Sequence, residues 1–364
     1  MNNIIFDSRI DDKSTAHKIL VTIQAVFLFF ESNFSKNEQM KKNIAIIMGG
    51  YSSEVQISLK SGNVVYESMN REKFNLYRIH ILKEKWVYVD EKDIEHPVDR
   101  HDFTVEINGE KISFDCVFNA IHGTPGEDGL MQAYFKLLNI PQTSCDYYQS
   151  ALTFNKRDLL STLKPYGIKS ATSYYLNMGD EIKPDLIVAK VGLPCFVKAN
   201  KAGSSFGITK VYKNEELVPA IKKAYQEDDE VIIESFLDGT EVSVGVITYQ
   251  GETKVLPITE IVSENDFFDY QAKYEGKSQE ITPARLSSAQ ERNVTEVAKK
   301  AYEVLKMKGY TRSEFIFKGD EPYMLEMNTT PGLTRESILP QQAKTAGISI
   351  SALFDSAIEE ALKK

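Results

Sequence analysis

The segment TRSEFIFKGDEPYMLEMNTTPG, residues 311–332, contains the pattern that decides the fold of this region. Two runs rich in apolar and aromatic residues flank the turn-forming sequence KGDEP at 318–322, which predicts a β-hairpin. The second run leads into TTPG at 329–332, a turn rich in backbone donors. The segment therefore predicts two antiparallel strands followed by a turn whose amides can face a ligand.

Charged and amide side chains repeat with the strand period on both arms of this hairpin. Alternation places Arg312 and Glu314 on one face of the first strand. Glu326 and Asn328 share one face of the second, and folding about Asp320 sets Glu314 opposite Glu326 and Arg312 opposite Asn328. Opposed like charges destabilise a sheet, and Mg²⁺ held by both carboxylates and the amide oxygen would remove the repulsion. Two acids on a solvated sheet face are the alternative.

A magnesium site at this position calls for a phosphate ligand. The loop ANKAGSSFG at 199–207 joins two predicted strands and can point successive amides at phosphate oxygens, with Lys198 as an added charge. Lys156 opens a predicted helix over 156–163, where a cation opposes the helix dipole and a nearby anion would account for it. A hairpin loop without a ligand and an exposed lysine are the alternatives. Neither a Walker A loop nor a GxGxxG fingerprint after a strand occurs.

The N-terminal part shows the alternation of strand and helix that is typical of an α/β unit. Residues 43–48 (NIAIIM) form a short apolar run that leads through two glycines into a segment with helical spacing. A second buried strand at 115–121 runs into HGTPGEDG at 122–129, where an open α/β sheet binds ligands. A plain turn is the alternative, with Glu127 and Asp128 as structural residues that hold the loop and cap the next helix. From Thr153 onward the pattern predicts α+β structure and an amphipathic C-terminal helix.

Composition limits the classes of protein that the chain can belong to. Its 364 residues suffice for two or three domains, and a net charge of -9 argues against a general nucleic-acid binder. Three widely spaced cysteines give neither a disulfide framework nor a zinc site, which favours a reducing, cytoplasmic setting. Ile19 to Phe30 is too short an apolar run to span a bilayer. We expect residues 1–39 to be an upstream extension before Met40, with a surface helix as the alternative.

Taken in chain order, these segments closely resemble the D-alanine:D-alanine ligase family of the ATP-grasp superfamily, from about residue 42 to the C-terminus. The residues that carry the resemblance are Glu54, HGTPGEDG at 122–129, Lys156, the loop from Lys198 to Ser205, Glu234 to Glu241, AKY at 272–274, and the ExNxxPG pattern from Glu326 to Gly332. HGxxGEDG is distinctive of this group of ligases.

The resemblance implies an ATP-grasp fold with α/β and α+β parts. A Rossmann-like preATP-grasp domain would precede two α+β subdomains that clamp ATP. The expected divisions are an extension at 1–39, the preATP-grasp domain at 40–143, a central lid subdomain at 144–234, and a C-terminal subdomain at 235–364 with a lid loop at 263–283.

The implied reaction is the ATP-dependent joining of two D-alanines, with ADP and phosphate as the other products. The γ-phosphoryl group passes to the carboxylate of the first D-alanine, and the amine of the second attacks the acyl phosphate. The resemblance also implies two Mg²⁺ or Mn²⁺ ions, a role in peptidoglycan precursor synthesis, a cytoplasmic location and a homodimer, with neither nucleic acid nor membrane as a partner.

The resemblance assigns nucleotide-binding roles to residues across the C-terminal two thirds of the chain. Lys156, Lys198 and Lys273 would contact the phosphates, and Ser204 and Ser205 would belong to the loop that closes over them. Glu241 would bind the ribose. The backbone around Glu234, Ser235 and Leu237 would bind adenine, and the metal ligands would be Glu314, Glu326 and Asn328.

Other residues would bind the amino acids and stabilise the charge that develops on the reacting carbonyl. Arg312 and the amide of Gly332 are the implied oxyanion donors. Glu54 would hold the first ammonium near His122, which supplies a polar contact. Ser337 and the amide of Ile338 would receive the second carboxylate, and Tyr274 in the lid favours the dipeptide product.

Two positions depart from the family pattern. Glu314 stands where an Asp preceded by an apolar residue is usual, and here Ser313 precedes it, which puts the metal geometry in doubt. Ser235 stands where many relatives have a lysine, so a cationic contact to the base is not expected. The alternatives are a D-alanine:D-lactate ligase, another ATP-grasp carboxylate-amine ligase, a non-catalytic nucleotide-binding module, and a nicotinamide-dependent oxidoreductase, which the missing glycine fingerprint disfavours.

Overall fold

The structure is a computed structural model that describes residues 41–203, 206–263 and 278–363. The chain divides into two compact units, Met1–Lys41 and Lys42–Lys364, and the folded elements described below belong to the second. Among the described residues, no helix is both long and apolar enough to cross a membrane.

The second unit begins with a seven-stranded sheet in the order β6-β5-β4-β3-β2-β1-β7. Its strands are β1 (Lys42–Gly49), β2 (Phe74–Ile81), β3 (Trp86–Val89), β4 (Glu95–Asp99), β5 (Thr104–Ile107), β6 (Glu110–Ile112) and β7 (Cys116–Asn119). β1 is parallel to both β2 and β7, and the other pairs are antiparallel. The side chains from Ile44 to Met48 are fully buried because this central strand is covered on both faces.

Helices α1 (Val55–Ser68) and α2 (Leu130–Leu137) follow the carboxyl ends of β1 and β7. Both connections match the predicted strand, glycine-rich turn and helix. The loops that carry Glu54 and His122 therefore meet at the same edge of the parallel strands, which is the edge where such sheets bind ligands.

A four-stranded antiparallel sheet in the order β10-β9-β11-β8 forms the middle of the chain. Its strands are β8 (Ser173–Asn177), β9 (Cys195–Ala199), β10 (Thr209–Val211) and β11 (Glu230–Ser235). Helices α5 (Pro184–Val191) and α6 (Leu217–Ala224) cover one face through a shared apolar core.

A six-stranded sheet in the order β15-β14-β12-β16-β17, with β13 paired to β12, follows. Its strands are β12 (Glu241–Tyr249), β13 (Glu252–Val255), β14 (Thr259–Ser263), β15 (Ser278–Ile281), β16 (Tyr310–Lys318) and β17 (Glu321–Asn328). Helices α3 (Tyr147–Phe154), α4 (Lys156–Leu163) and α7 (Ser288–Val304) pack on this sheet and share its core.

The last two helices return to the first sheet. They are α8 (Ile338–Thr345) and α9 (Ile350–Leu362). As the helical spacing predicted, α9 buries Leu353, Phe354 and Ile358, and these side chains share one core with Ile44 and Phe118 of the parallel strands. The first and last segments of the unit therefore stabilise each other, which fixes the C-terminal sheet against the N-terminal one.

The predicted register of the β16–β17 hairpin is confirmed where the functional residues lie. Glu314 pairs with Glu326, and Arg312 pairs with Asn328. The turn itself is tighter than a fold about Asp320, because Lys318 pairs with Glu321. A β-bulge at the Glu314/Phe315 step of the ladder shifts the register by one residue and brings the two acids opposite each other.

Two features of the C-terminal sheet differ from the sequence-based expectations. The lid loop predicted at 263–283 is wrong at its end, because Ser278–Ile281 forms strand β15 and pairs with β14. Residues 264–277 of that loop lie outside the described residues. Ser313, which departs from the family pattern, is fully buried, and its hydroxyl has no hydrogen-bond partner within the described part of the chain.

Candidate active site

A cleft with a volume of about 800 Å³ lies between the four-stranded and the six-stranded sheets. One wall includes Lys198 and Glu234 of the four-stranded sheet, and the other includes Glu314 and Glu326 of the hairpin. The remaining predicted nucleotide residues that line it are Lys156, Ser235, Leu237 and Glu241. The structure therefore brings together all of the predicted nucleotide residues that it describes.

A second cleft of about 460 Å³ opens at the carboxyl edge of the parallel strands. Its lining includes the predicted amino-acid residues Glu54, His122, Arg312 and Gly332, together with Asn328. Both clefts are lined by Gly203 and Glu326. A phosphoryl donor in the first cleft and a carboxylate acceptor in the second would therefore meet beside Glu326.

Lys156 joins the loop that follows β9 to the C-terminal hairpin. Its Nζ donates to the carbonyl of Ala202 at 2.8 Å and lies 3.1 Å from a carboxylate oxygen of Glu326. Glu326 therefore supplies a negative charge beside this lysine, whose position at the start of helix α4 is unfavourable against the helix dipole. Lys156 is only 8% exposed, so the ion pair lies in the interior of the cleft, where water screens it weakly.

Lys198 makes a second ion pair on the opposite wall. Its Nζ lies 2.8 Å from Glu234 Oε2. Burial alone would lower the pKa of the Lys198 ammonium, but the adjacent Glu234 carboxylate outweighs it and the pKa lies above its ordinary value. The lysine is therefore charged at neutral pH and available to a phosphate.

Arg312 makes the third ion pair, with Glu314 on the same strand. Its guanidinium also donates to Ser243 Oγ on β12 at 3.2 Å, which orients it toward the second cleft. Burial opposes the charge of Arg312, but the surrounding carboxylates, Glu314 first among them, together raise its pKa. The hairpin face thus carries two opposed acids whose repulsion is offset by Lys156 and Arg312.

The donor set on the hairpin fits a magnesium ion. Mg²⁺ in proteins is held by one or two carboxylates together with substrate phosphates. Glu314 and Glu326 offer two carboxylates at facing positions, and Asn328 adds an amide whose Nδ2 donates to Glu326 at 3.2 Å. The described residues contain no group of three or more His, Cys, Asp or Glu side chains that could hold a metal by themselves.

The loop after β9 is fastened to the start of helix α4. Asn200 Oδ1 accepts from the amide of Arg157 at 2.8 Å, and its Nδ2 donates to Asn155, which caps the helix. The backbone amide of Lys201 reinforces the loop by donating a hydrogen bond to Asp228 Oδ2 at 2.7 Å. These bonds hold the first half of the loop, which leads into Ser204 and Ser205. Those two serines lie outside the described residues, as do Lys273 and Tyr274.

Two glycines give the carboxylate of Glu54 its space. A Cβ on Gly203 would lie 2.6 Å from Glu54 Oε2, and one on Gly123 would lie 3.0 Å from the same oxygen. Gly123 also has a φ of +68°, which favours glycine. The glycines in HGTPGEDG and in the loop after β9 therefore allow backbone to approach Glu54 closely.

His122 is held by the protein at both ring nitrogens. Its Nδ1 lies 2.7 Å from the carbonyl of Thr330, which only accepts, so Nδ1 carries the proton. Its Nε2 lies 2.9 Å from Ser61 Oγ and accepts from that hydroxyl when the ring is neutral. Burial lowers the pKa of His122, which favours the neutral ring. The predicted polar contact from His122 to the amino acid would therefore have to replace one of these two bonds.

The N-terminus of helix α8 is directed at the second cleft's Gly332. Ser337 is its N-cap residue but makes no side-chain capping bond among the described residues, and its Oγ instead lies 2.8 Å from Thr334 Oγ1. A Cβ on Gly332 would lie 2.7 Å from Ser337 Oγ, which shows how close the two are. The hydroxyl of Ser337 and the first amides of α8 therefore lie beside Gly332, and a helix N-terminus of this kind favours anions.

Several residues of the site were not singled out from the sequence. Ser61 and Ser243 orient His122 and Arg312, and Thr334 contacts Ser337. Ser235, which stands in the usual lysine position, uses its hydroxyl to accept from the amide of Thr172 at 3.1 Å. The contacts of Ser61, Ser243 and Ser235 carry no local sequence signal, because their partners are more than 60 residues away along the chain.

The chain matches two parts of one protein family. Residues 43–145 match the family described as D-ala D-ala ligase N-terminus, and residues 166–359 match D-ala D-ala ligase C-terminus. The D-alanine–D-alanine ligase of Flavobacterium johnsoniae is 74% identical over 321 residues, which are 88% of this chain and 99% of that protein. The enzyme of the same name from Christiangramia forsetii is 62% identical over 325 residues, 89% of this chain and 100% of that protein.

Solved structures are similar over the same region. The VanG D-Ala:D-Ser ligase from Enterococcus faecalis has a TM-score of 0.77 and 32% identity, with 88% of this chain and 100% of that chain covered. The D-alanine–D-alanine ligase from Bacillus anthracis complexed with ATP has a TM-score of 0.71 and 28% identity, with 88% and 97% covered.

Proposed function

Because the chain belongs to the D-alanine–D-alanine ligase family and has its ATP-grasp fold, we propose that the two adjoining clefts divide the reaction between them. The enzyme joins two D-alanines to D-alanyl-D-alanine with ATP, for peptidoglycan precursor synthesis. The observation that supports the division is the shared wall at Glu326, which lines both clefts.

ATP occupies the larger cleft with its phosphates toward Glu326. Lys156 and Lys198 bind the phosphates, and their present partners Glu326 and Glu234 lie on the walls of the same cleft. Glu241 binds the ribose, and the backbone from Glu234 through Ser235 to Leu237 faces adenine. Ser204, Ser205 and Lys273 complete the phosphate contacts in this proposal.

Glu314, Glu326 and Asn328 hold two Mg²⁺ or Mn²⁺ ions, which supply positive charge to the phosphate oxygens. Glu314 is one methylene longer than the usual Asp, and its pairing with Arg312 shows that its carboxylate lies on the site face of the hairpin. Metal held by the two carboxylates would take the place of Lys156 and Arg312 as their partners, and these cations could then bind the substrates.

The amino acids bind in the smaller cleft. Glu54 holds the ammonium of the first D-alanine. One carboxylate oxygen of this D-alanine attacks the γ-phosphorus of ATP, and ADP is the leaving group. The second D-alanine places its carboxylate at Ser337 and the amide of Ile338, and Tyr274, which lies outside the described residues, favours the dipeptide product. Its neutral amine attacks the acyl carbon, the C–N bond forms, and the amine loses a proton. Phosphate departs with the electrons of the broken C–O bond.

Arg312 and the amide of Gly332 stabilise the negative oxygen that develops during this attack. Preorganised donors of this kind contribute about 10²- to 10³-fold each to the rate. Arg312 is oriented for the role by Ser243, and Gly332 by the turn at 329–332. The homodimer and the cytoplasmic location stay predictions from the family resemblance.

Product analysis tests the proposed reaction directly. We expect phosphate release from ATP in the presence of D-alanine, with D-alanyl-D-alanine as the product by mass spectrometry. L-alanine should give no product, and D-lactate or D-serine added with D-alanine should not displace the dipeptide as the main product. A depsipeptide, a D-alanyl-D-serine product, or phosphate release without any ligation would contradict the assignment.

A further inference from the structure

The HGTPGEDG motif at 122–129 holds the main chain of Thr330 at both its N–H and its C=O, which belong to two consecutive peptide groups. Its N–H donates to Glu127 Oε1 at 3.0 Å, and its carbonyl accepts from His122 Nδ1 at 2.7 Å. Thr330 lies in the turn at 329–332, two residues after the end of strand β17, whereas the motif follows strand β7. The first and sixth residues of the motif thus hold the backbone of one residue that follows a strand of a different sheet.

The second carboxylate oxygen of Glu127 holds the motif itself. Oε2 accepts from the amide of Gly123 at 2.8 Å, while the carbonyl of Gly123 accepts from the amides of Gly126 and Glu127. One carboxylate therefore joins the amide of Gly123 to that of Thr330. Each oxygen has a separate donor, so the bridge needs a side chain that accepts at both atoms.

The environment makes this carboxylate costly to keep. Glu127 is 7% exposed, and burial, with a further contribution from the nearby Glu54, raises its pKa, whereas the two amides that donate to its oxygens lower it. An apolar or amide side chain of similar size would avoid that cost. This cost is offset if fixing the positions of the two amides contributes to the reaction.

We propose that Glu127 is a positioning residue of the ligase reaction, which sets the turn at 329–332 by bridging the amides of Gly123 and Thr330. The inference rests on the proposed function, since its consequence falls on Gly332. Only Pro331 separates Thr330 from Gly332, and the proline ring fixes the φ of Pro331. A shift of the Thr330 backbone therefore also moves the amide of Gly332.

The chemistry is sensitive to such a shift. A misplacement of about 1 Å at a reacting group can cost on the order of 10²-fold in rate. The carbonyl of Thr330 also orients the ring of His122 by accepting from its Nδ1, and Ser61 contacts the other ring nitrogen. Glu127 lines the second cleft but is absent from the lining of the first, so its influence should fall on the acyl-transfer side rather than on ATP.

Glu127→Gln is the direct test, measured with ATP and D-alanine on the full chain. Glutamine has one accepting oxygen, and its NH₂ group opposes one of the two amide donors. We expect kcat to fall about 10²-fold with the KM for ATP within about twofold of the wild type. Asp128→Asn is the matched control: Asp128 lies next in the loop but binds Thr124 and the amide of Leu130, so kcat should stay near the wild-type value.

If Glu127→Gln does not fold, Ser61→Ala tests the position of Thr330 through His122, which donates to the carbonyl of Thr330. It removes the hydroxyl at His122 Nε2 from a helix that tolerates alanine well, and kcat should fall, by less than for Glu127→Gln, again with the KM for ATP unchanged. A wild-type kcat in either folded variant, or a loss of kcat that comes with an equal rise in the KM for ATP, would overturn the positioning role. A wild-type enzyme that forms no dipeptide would instead refute the proposed function.

Discussion

Replacing Glu326 by glutamine is expected to lower kcat by at least about 10³-fold while the chain stays folded. Glu326 is the side chain that both clefts share, and it faces Glu314 across the hairpin. Losing a carboxylate ligand weakens the hold on a metal whose stabilisation of developing charge amounts to several kcal/mol, and each 1.36 kcal/mol is about tenfold in rate. Glutamine keeps the shape and an oxygen that can accept from Lys156.

Glu321→Gln on the same strand is the matched control. Glu321 pairs with Lys169 on the surface, and both side chains are about half exposed, so the change should leave kcat unaltered. Steady-state phosphate release over a range of Mg²⁺ concentrations measures both variants. Wild-type turnover by Glu326→Gln at low Mg²⁺ would show that the hairpin does not hold the metal.

Replacing Lys198 by methionine is expected to weaken ADP binding by about 10²-fold and to destabilise the fold. The first effect follows because a charged hydrogen bond to phosphate is worth about 1.5–3 kcal/mol. The second follows because Glu234, which is 2% exposed, would keep a buried charge without its partner, at a cost of about 3–5 kcal/mol. Isothermal titration with ADP and Mg²⁺ measures the first effect, and thermal unfolding measures the second.

Adding Glu234→Gln to the Lys198→Met variant separates the two effects. The double variant no longer buries a lone carboxylate, so we expect most of the stability to return while ADP binding stays weak. Recovery of tight ADP binding in the double variant would mean that Lys198 acts on Glu234 alone and has no contact with phosphate. The ion pair with Glu234 would then be a structural feature of the four-stranded sheet.

Local signals in the sequence were sufficient for most helices and strands. The helix predicted at 156–163 is observed as Lys156–Leu163, because Asn155 caps its start and the PYG sequence at 165–167 stops it soon after its end. Strand β7 (Cys116–Asn119) falls within the buried strand predicted at 115–121. Helix α3 was missed, although Asp146, which caps it by accepting from Tyr147, was a readable start signal.

The hairpin shows how a correct prediction can rest on an incomplete reason. Alternation from a turn centred on Asp320 set Glu314 opposite Glu326, and the structure has that pair. Near the turn, where Lys318 pairs with Glu321, the observed register differs by one residue from a fold about Asp320. The bulge between Glu314 and Phe315 restores the predicted register. A bulge has no reliable sequence signal here, so its presence could not be predicted, whereas the need to bring two acids and an amide together could.

The contacts between distant segments were beyond the sequence. Glu127 and Thr330 are 203 residues apart in the chain, and nothing in either segment names the other. Helix α9 was predicted as amphipathic, yet its apolar face could have packed on any of the three sheets. Residue types and spacing indicate which groups are available for chemistry, but only the tertiary fold decides which of them meet.

The most direct measurement is a crystal structure of the enzyme with ADP and Mn²⁺, with the metal located by its anomalous signal. The account predicts manganese within coordinating distance of Glu314, Glu326 and Asn328, with Lys156 released from Glu326 onto a phosphate. Manganese found elsewhere, with the Lys156–Glu326 and Arg312–Glu314 pairs intact, would contradict the claim that this hairpin holds the metal and the nucleotide together.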